Sequence, residues 1–333
     1  MNGNNRLGYR PRNDKTRYAL IGGIVVVAIA IATVGFFIAA ELGGWFEGGG
    51  ATKDPLSEKF AVAELELQSS DVHKGDLILV NNTYKYVFPE TAPSLVPVIS
   101  DRKSHGTSAS GYTIFSFYTQ SDLSLCAKVD EETHQKLLAF TDGFYTATSN
   151  SDLFIFDEDG YRTEADQNTK HNAKPTEYSA AGTSEHHTGK VVDFYVYTGT
   201  SRGSLDDPGW ANTFKWVYDN AYKYGFVHRY PALKEEVTGV DYEPYHFRQV
   251  GYAHAYYMTK NDLCLEEYLE LLKTTYTPAS PLEFRGDDGN SYMVYYIAAA
   301  EGETTKLTVP AELEYTVSGD NMGGFIVTVN VGA

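Results

Sequence analysis

An uncharged apolar run near the N-terminus constrains this chain more than any other feature of its sequence. The run reads YALIGGIVVVAIAIATVGFFIAA, covers residues 18–40 and lies between Arg17 and Glu41. At about 1.5 Å of rise per residue, a helix of this length crosses a hydrocarbon core of roughly 30 Å. The sequence therefore predicts a transmembrane anchor over residues 18–40.

The residues that flank this run predict its orientation. Residues 1–17 carry five basic side chains and one acidic side chain, and Trp45 and Phe46 follow the run where an interfacial aromatic belt would lie. By the positive-inside rule, residues 1–17 form a cytoplasmic tail and the chain beyond the run is extracytoplasmic, with residues 41–59 as a linker. The alternative is a cleaved signal peptide, whose apolar region is normally about 7–15 residues and so shorter than this one.

The net charge of the chain restricts its partners. The formal net charge is −17, and subtracting the +4 of residues 1–17 leaves −21 for the remainder. Binding to nucleic acid requires clustered Lys and Arg to neutralise phosphates. We therefore expect no nucleic-acid partner.

The cysteines limit the kinds of metal site that the chain can build. Only Cys126 and Cys264 occur, so one disulfide and two buried thiols are both compatible with the sequence. No C-x-x-C pair is present to form a structural zinc site. Any metal must therefore be held by histidine and carboxylate side chains.

The chain after the linker mixes strand-like and helix-like patterns, which predicts an α+β fold. Strands are expected within GDLILVNNTYKYVF, DLFIFDEDGYR and FVHRY, and helices within DEETHQKLLAFTDGFYTA, DDPGWANTFKWVYDNAYKYG and LCLEEYLELLK. Asp207 is expected to cap the second of these helices and Gly225 to end it. From residue 276 short alternating runs are broken by GDDGN, EGE and SGDN, which predicts a β-rich C-terminal extension over residues 276–333.

Two segments carry residues that suit a metal site. TSEHHTGKVVDF places His186 in a loop and Asp193 in a strand-like stretch, and VDYEPYHFRQVG adds Glu243 and His246. A carboxylate in a strand is hydrogen-bonded, exposed on the polar face or bound to a cation. Two histidines and one carboxylate can form a three-ligand zinc site that leaves a fourth position for water. Each residue alone is more often structural or solvated, and the chain has no H-E-x-x-H motif.

Three motifs in order carry a resemblance to a known family. SEHHTGKVVD is similar to the pattern S-x-H-x-x-G-x-A-x-D, EPYHFR to E-x-W-H, and DGYRTEADQ to S-G-Y-R-x-x-x-x-Q. On these residues the chain resembles the zinc D-alanyl-D-alanine carboxypeptidases of the VanY type, among the LAS-type metallopeptidases (lysostaphin, D-Ala-D-Ala peptidases, hedgehog-like). The resemblance covers about residues 70–275. It implies a zinc-peptidase domain over residues 60–275, with a central antiparallel sheet and flanking helices.

The resemblance implies a metal and a mechanism. His186, Asp193 and His246 would ligate Zn²⁺, which would also balance the charge of the Asp193 carboxylate. Glu243 would act as general base and then general acid in peptide hydrolysis. The alternative for Glu243 is a structural salt bridge with Arg248 or another surface cation.

Four further residues are implied to act on the substrate. Arg162 would stabilise either the developing oxyanion or the terminal carboxylate of the substrate. Gln167 and Ser184 would bind substrate or hold loops in place. Tyr245 stands where the family usually has Trp, and it would keep an aromatic wall beside the metal. Val191 and Lys190 also depart from the family pattern, but no ligand is missing.

The partners implied by the resemblance are peptidoglycan stem peptides that end in D-Ala-D-Ala, together with the membrane through the N-terminal helix. The expected location is the cell membrane, with a single span, a cytoplasmic N-terminus and an extracytoplasmic catalytic domain. An L,D-carboxypeptidase acting on tetrapeptides, a D,D-dipeptidase and a catalytically silent wall-binding protein remain alternatives.

Overall fold

The computed structural model describes residues 55–91, 93–119, 122, 125–302 and 304–333. The predicted tail, the anchor at 18–40 and most of the linker lie outside these residues. Within them, no helix combines the length and the apolar character needed to cross a bilayer. The α-helices are α1 (Pro55–Lys59), α2 (Glu131–Thr148), α3 (Glu164–Ala173), α4 (Ala211–Asn220), α5 (Glu235–Thr238), α6 (Tyr252–Lys260) and α7 (Leu265–Thr275).

The strands of the described residues are short in the first part of the chain and longer towards the C-terminus. They are β1 (Val62–Leu67), β2 (Leu95–Pro97), β3 (Ser104–Thr107), β4 (Thr113–Phe115), β5 (Tyr118–Thr119), β6 (Lys128–Asp130), β7 (Leu153–Ile155), β8 (Val191–Asp193), β9 (Tyr195–Tyr197), β10 (Arg202–Gly203), β11 (Phe226–His228), β12 (His246–Gln249), β13 (Leu282–Arg285), β14 (Ser291–Ala298), β15 (Thr305–Pro310), β16 (Glu314–Gly319) and β17 (Gly324–Gly332). Single 3₁₀ turns cover Ser69–His73, Glu185–Thr188 and Ala221–Tyr224. The structure is thus α+β, as the sequence predicts.

Local signals explain where two of the long helices begin and end. The Asp130 side chain accepts the Thr133 N–H at 2.7 Å, which caps α2. Helix α4 begins at Ala211 rather than at the predicted cap, because Asp207 accepts the Ser204 N–H in a preceding turn instead. The chain beyond α4 tightens into a 3₁₀ turn and stops at Gly225, whose φ of 84° favours glycine.

A three-stranded antiparallel sheet in the order β11–β12–β8 positions the candidate site. His246 pairs with Asp193 and Phe247 with Val192. Because side chains alternate along a strand, the Phe247 and Val192 side chains enter the core while their neighbours face the other side. Leu137 and the other apolar side chains of α2 cover this core, so the site is built on a packed support.

A second sheet has the order β10–β9–β7–β5, and its side chains Leu153, Ile155 and Val196 pack in the same core. Its β5–β7 pair is parallel, and the other pairs are antiparallel. The chain leaves β7 through a turn at residues 156–160 that leads to Arg162. This connection brings the third sequence motif next to the first two.

The segment 75–88 is not a strand, contrary to the sequence prediction. Its apolar residues Leu77 and Leu79 are buried, which explains the strand-like pattern. Its backbone partners come from separate places: Leu79 N–H donates to the Asp320 carbonyl and Tyr86 N–H to the Gly182 carbonyl. The segment is therefore an irregular strap, because no single neighbouring strand runs beside it.

The C-terminal extension is β-rich, as predicted, with an antiparallel sheet in the order β13–β14–β17–β16. One face of this sheet shares a core with α6 and α7, and Val294 and Ile326 pack in the same cluster as Leu269. Strand β15 pairs with β1 near the start of the described chain. The domain boundaries at residues 60 and 275 stay predictions.

Cys126 and Cys264 are both free and buried.

Candidate metal centre and active site

Three buried side chains converge on one point of the three-stranded sheet. His186 lies in the 3₁₀ turn Glu185–Thr188, Asp193 ends β8 and His246 begins β12. One nitrogen or oxygen atom from each lies within 4.8 Å of the others. The in-register pair His246 and Asp193 places two of these side chains next to each other on one face.

The orientation of His186 is determined by a backbone carbonyl. Its Nδ1 lies 2.7 Å from the Gly160 oxygen, and a carbonyl can only accept, so Nδ1 carries the proton. The Nε2 lone pair then faces Asp193 Oδ2 at 3.4 Å. Burial, together with the Arg162 guanidinium, lowers the pKa of His186 to about 4. His186 is therefore neutral at neutral pH, as a metal ligand must be.

The Asp193 carboxylate is buried beside these imidazoles and is short of hydrogen-bond donors. Its Oδ1 lies 3.0 Å from His246 Nδ1, yet among the described residues it has no hydrogen-bond partner of acceptable geometry. Burial alone would raise the pKa of Asp193, but His186 and His246 lower it below the usual range. An ionised, buried carboxylate facing imidazole nitrogens is stabilised by a cation between them. These donors therefore fit a divalent metal ion.

Glu243 lies at the open edge of this cluster. Its Oε2 is 3.4 Å from His246 Nδ1, and 25% of its side chain remains exposed. Burial of the rest and the nearby Asp193 raise the pKa of Glu243 to about 7, against the opposing effect of His246. A carboxyl group with this pKa can both accept and donate a proton near neutral pH.

The salt-bridge alternative for Glu243 meets a structural obstacle. Arg248 is not a surface cation but is fully buried. Its Nη1 lies 3.2 Å from Glu185, and its other nitrogens donate to the Gln249, Asp76 and Ile78 carbonyls. Arg248 is thus committed to other partners.

Arg162 and Gln167 meet next to the cluster. Arg162 Nε donates to the Glu158 carbonyl at 2.8 Å, and Nη2 lies 3.6 Å from Asp193 Oδ2. Gln167 accepts from Arg162 Nη1 at 3.5 Å and donates to the Ser179 carbonyl at 2.7 Å. Gln167 is buried, so in this structure it supports the guanidinium of Arg162.

Ser184 and Tyr245 adjoin the predicted ligands in sequence, Ser184 before the 3₁₀ turn and Tyr245 directly before His246. Ser184 is buried at the start of the 3₁₀ turn, and its carbonyl accepts the His187 N–H at 3.3 Å. Tyr245 is half-buried and stacks on Tyr195, with ring centroids 5.2 Å apart and planes at 21°. Substrate binding by Ser184 and Tyr245 stays a prediction.

The sequence analysis missed Glu185, which stands directly before His186. It is fully buried and contacts Arg229, Arg248 and His246. A usable signal was present, since a second carboxylate adjoined a predicted ligand within the SEHH segment. The strand alternation that puts Arg248 on the same face as His246 was a second signal.

Comparison with known proteins places these observations in a family. The sequence model of the family VanY, described as D-alanyl-D-alanine carboxypeptidase, matches residues 117–252. The D-alanyl-D-alanine carboxypeptidase of Enterococcus faecium is 30% identical over 271 residues, which cover 81% of this chain and 80% of that protein. This chain belongs to the D-alanyl-D-alanine carboxypeptidase family. The predicted resemblance is confirmed, and the chain is an enzyme of the peptidase class.

Two further comparisons concern a relative that is similar over part of its sequence and a solved structure that is similar in fold. The putative carboxypeptidase YodJ of Bacillus subtilis is 47% identical over 94 residues, which are 28% of this chain and 33% of that protein. The crystal structure of the vancomycin-resistance D,D-dipeptidase VanXYg superposes with a TM-score of 0.65 at 23% identity, covering 81% of this chain and 99% of that one. The second likeness supports the mixed α+β peptidase fold.

Proposed function

We propose that this enzyme removes the terminal D-Ala from peptidoglycan stem peptides ending in D-Ala-D-Ala, at a zinc centre formed by His186, Asp193 and His246. One observation carries the proposal: the buried, ionised Asp193 faces two imidazoles, and its Oδ1 has no hydrogen-bond partner of acceptable geometry among the described residues. Membership of the D-alanyl-D-alanine carboxypeptidase family supports the substrate class.

The two histidines and the aspartate would hold the metal, and Glu243 would move the proton. Zinc bound there supplies Lewis acidity and makes water a nucleophile near neutral pH. Glu243 Oε2 accepts a proton from the attacking water and returns it to the nitrogen of the departing D-Ala. The water oxygen bonds to the carbonyl carbon and the C–N bond breaks. The nitrogen of the released D-Ala takes the proton that Glu243 returns.

Arg162 would supply positive charge to the substrate. Its guanidinium is held by the Glu158 carbonyl and Gln167 and lies 3.6 Å from Asp193. From that position it stabilises the oxyanion that forms during attack or binds the terminal carboxylate of the peptide. Tyr245 would form the wall of the binding cleft, and Ser184 would contact the substrate at the other side.

We also propose that residues 18–40 anchor the enzyme in the cell membrane, with residues 1–17 cytoplasmic and the catalytic domain extracytoplasmic. The length of the apolar run and its basic flank support this orientation. Protease added to the outside of intact cells should digest the catalytic domain and spare an N-terminal tag. A mature chain that begins near residue 41 would instead indicate a signal peptide.

Metal content and product release together test the catalytic proposal. The purified full-length enzyme should bind about one zinc ion per chain, because the three ligands form one site. It should release free D-Ala from a pentapeptide ending in D-Ala-D-Ala, and His186→Ala or His246→Ala should lose most of the zinc. Full zinc retention in both variants would refute the site. Cleavage of tetrapeptides alone would indicate an L,D-carboxypeptidase, and wall binding without release would indicate a silent homologue.

A further inference from the structure

Glu185 occupies a closed, charged environment behind the candidate metal centre. Its side chain is fully buried, as are those of Arg229 and Arg248, while Glu266 beyond them is 12% exposed. Arg229 Nε donates to Glu185 Oε1 at 2.9 Å, and its Nη atoms form a two-pronged contact with Glu266 at 2.8 and 2.7 Å. Two arginines and two glutamates thus balance in charge, and the network extends from the 3₁₀ turn to α7.

The arginines occupy only one of the two Glu185 oxygens. Both Arg229 Nε and Arg248 Nη1 approach Oε1, at 2.9 and 3.2 Å. Oε2 has no hydrogen-bond partner in the part of the chain that the structure describes. His246 Nε2 lies 3.6 Å from Oε2, and this nitrogen also lacks a hydrogen-bond partner among those residues. These two unsatisfied buried atoms face each other.

The opposite side of the same imidazole faces the metal site. His246 Nδ1 lies 3.0 Å from Asp193 Oδ1 and 3.4 Å from Glu243 Oε2. An imidazole that ligates a metal through one nitrogen carries its proton on the other, and a carboxylate on that side determines the tautomer and the ring orientation. His186 has its own such acceptor in the Gly160 carbonyl. For His246, the Glu185 carboxylate lies at the corresponding place, 3.6 Å from Nε2.

We infer that Glu185 is a positioning residue for the metal centre: its Oε2 accepts the Nε2 proton of His246 and thereby directs the Nδ1 lone pair at the metal. The inference rests on the proposed zinc function. Arg229 and Arg248 hold the carboxylate ionised and in place, so it cannot rotate away from the imidazole. The 3.6 Å between the two atoms exceeds hydrogen-bond distance, so the inference requires them to approach slightly when Nδ1 binds a metal.

The substitution Glu185→Gln should move the ring proton of His246 from Nε2 to Nδ1 without changing the shape of the side chain at residue 185. Arg229 donates to the oxygen at the Oε1 position, so the amide oxygen must stay there. The amide NH₂ then faces His246 Nε2 and donates to it, which moves the ring proton to Nδ1 and blocks the ligand atom. The matched control is Glu266→Gln, which weakens the other end of Arg229 and leaves Glu185 Oε2 unchanged.

Zinc titration of full-length proteins tests the inference. Zn²⁺ affinity of Glu185→Gln should fall about 10- to 100-fold, the usual cost of losing such a carboxylate. Glu266→Gln should bind zinc like the wild type, although its thermal unfolding temperature falls. If the wild type and Glu266→Gln bind zinc and Glu185→Gln binds it equally well, the inference fails and the proposed function stands. If the wild type binds no zinc, both fail.

A measurement on the unmodified protein covers the case in which Glu185→Gln does not fold. In the zinc-loaded wild type, nitrogen-15 NMR of the histidine rings should show His246 protonated at Nε2, with a low-field, slowly exchanging proton. The same signal should persist in Glu266→Gln. A zinc-bound His246 protonated at Nδ1, or an Nε2 proton that exchanges freely with water, would overturn the positioning role of Glu185.

Discussion

At the scale of single residues, the surroundings of two carboxyl groups in the site shift their pKa values in opposite directions. Asp193 faces two imidazoles and Arg162, and its pKa lies below the usual range. Glu243 lies 3.4 Å from only one of these imidazoles, and burial raises its pKa to about 7. Two carboxyl groups whose pKa values differ in this way take different roles, one as a permanent anion and one as a proton carrier.

Glu243→Gln tests that division of roles. The amide keeps the side-chain shape but cannot accept a proton, so we expect zinc and substrate to bind while kcat falls by about 10²–10⁴-fold. Turnover of a D-Ala-D-Ala pentapeptide and zinc content measure the two effects. The exposed Glu236→Gln is the control and should leave both unchanged.

Two results would contradict the assignment of Glu243. Near-normal turnover with zinc bound would exclude the base role and favour a structural one worth about 1 kcal/mol or less. Loss of zinc would indicate that Glu243 is a ligand, and the role of Asp193 would need to be reassigned.

At the scale of secondary-structure elements, His254 joins three of them. It lies on α6, its Nδ1 is 2.8 Å from the Tyr268 hydroxyl of α7, and its Nε2 is 2.9 Å from the Thr328 hydroxyl of β17. All three residues are buried, and burial lowers the pKa of His254 to about 4 from its usual value of 6.5. The neutral imidazole therefore connects the helices of the peptidase to the C-terminal sheet.

The depressed pKa of His254 predicts a loss of stability in acid. Between about pH 6.5 and pH 4 the unfolded chain binds a proton at this residue and the folded chain does not, so the free energy of unfolding falls as the pH falls. The shift corresponds to a loss of up to about 3 kcal/mol. His254→Gln keeps a donor and an acceptor but does not titrate. Chemical denaturation at several pH values should show a shallower acid dependence for this variant, and identical slopes would contradict the prediction.

At the scale of the whole molecule, the C-terminal extension is part of the support of the peptidase rather than an added module. Leu282, Val294 and Ile326 are buried in the same cluster as the apolar faces of α6 and α7. At the other end of the chain, Leu56 and Val72 are buried in the cluster of the C-terminal sheet. The first and last parts of the described chain therefore stabilise each other.

Deletion of residues 276–333 should prevent cooperative folding of the remainder. Each large apolar side chain removed from a core costs about 1.5–3 kcal/mol, and four or more are lost, which matches the whole stability of a typical domain at about 5–15 kcal/mol. Thermal unfolding of the truncated and complete chains measures the effect. A truncated chain that unfolds cooperatively and releases D-Ala at the wild-type rate would show that the extension is dispensable.

The sequence by itself predicted features that depend only on residues close together along the chain. Gly225 marked a helix end because the need for a positive φ is a local requirement. His186, Asp193 and His246 were identified as a group from short motifs, and the structure brings them within 4.8 Å of one another. The family resemblance of these motifs carried this information, and in the fold the ligands lie in a 3₁₀ turn and at the ends of two paired strands.

Only the tertiary structure decided which charged side chains are buried together and which strands distant in sequence pair. Glu185 and Arg248 are distant in sequence, and although each stands near a predicted ligand, no local pattern indicates that the two side chains are buried against each other. The strap at 75–88 looks like a strand because its apolar residues are buried, but a ladder needs a continuous neighbour that only the folded chain provides. The β1–β15 pair likewise joins residues 62–67 to residues 305–310. Such contacts depend on the path of the whole chain, so sequence patterns of a few residues cannot predict them.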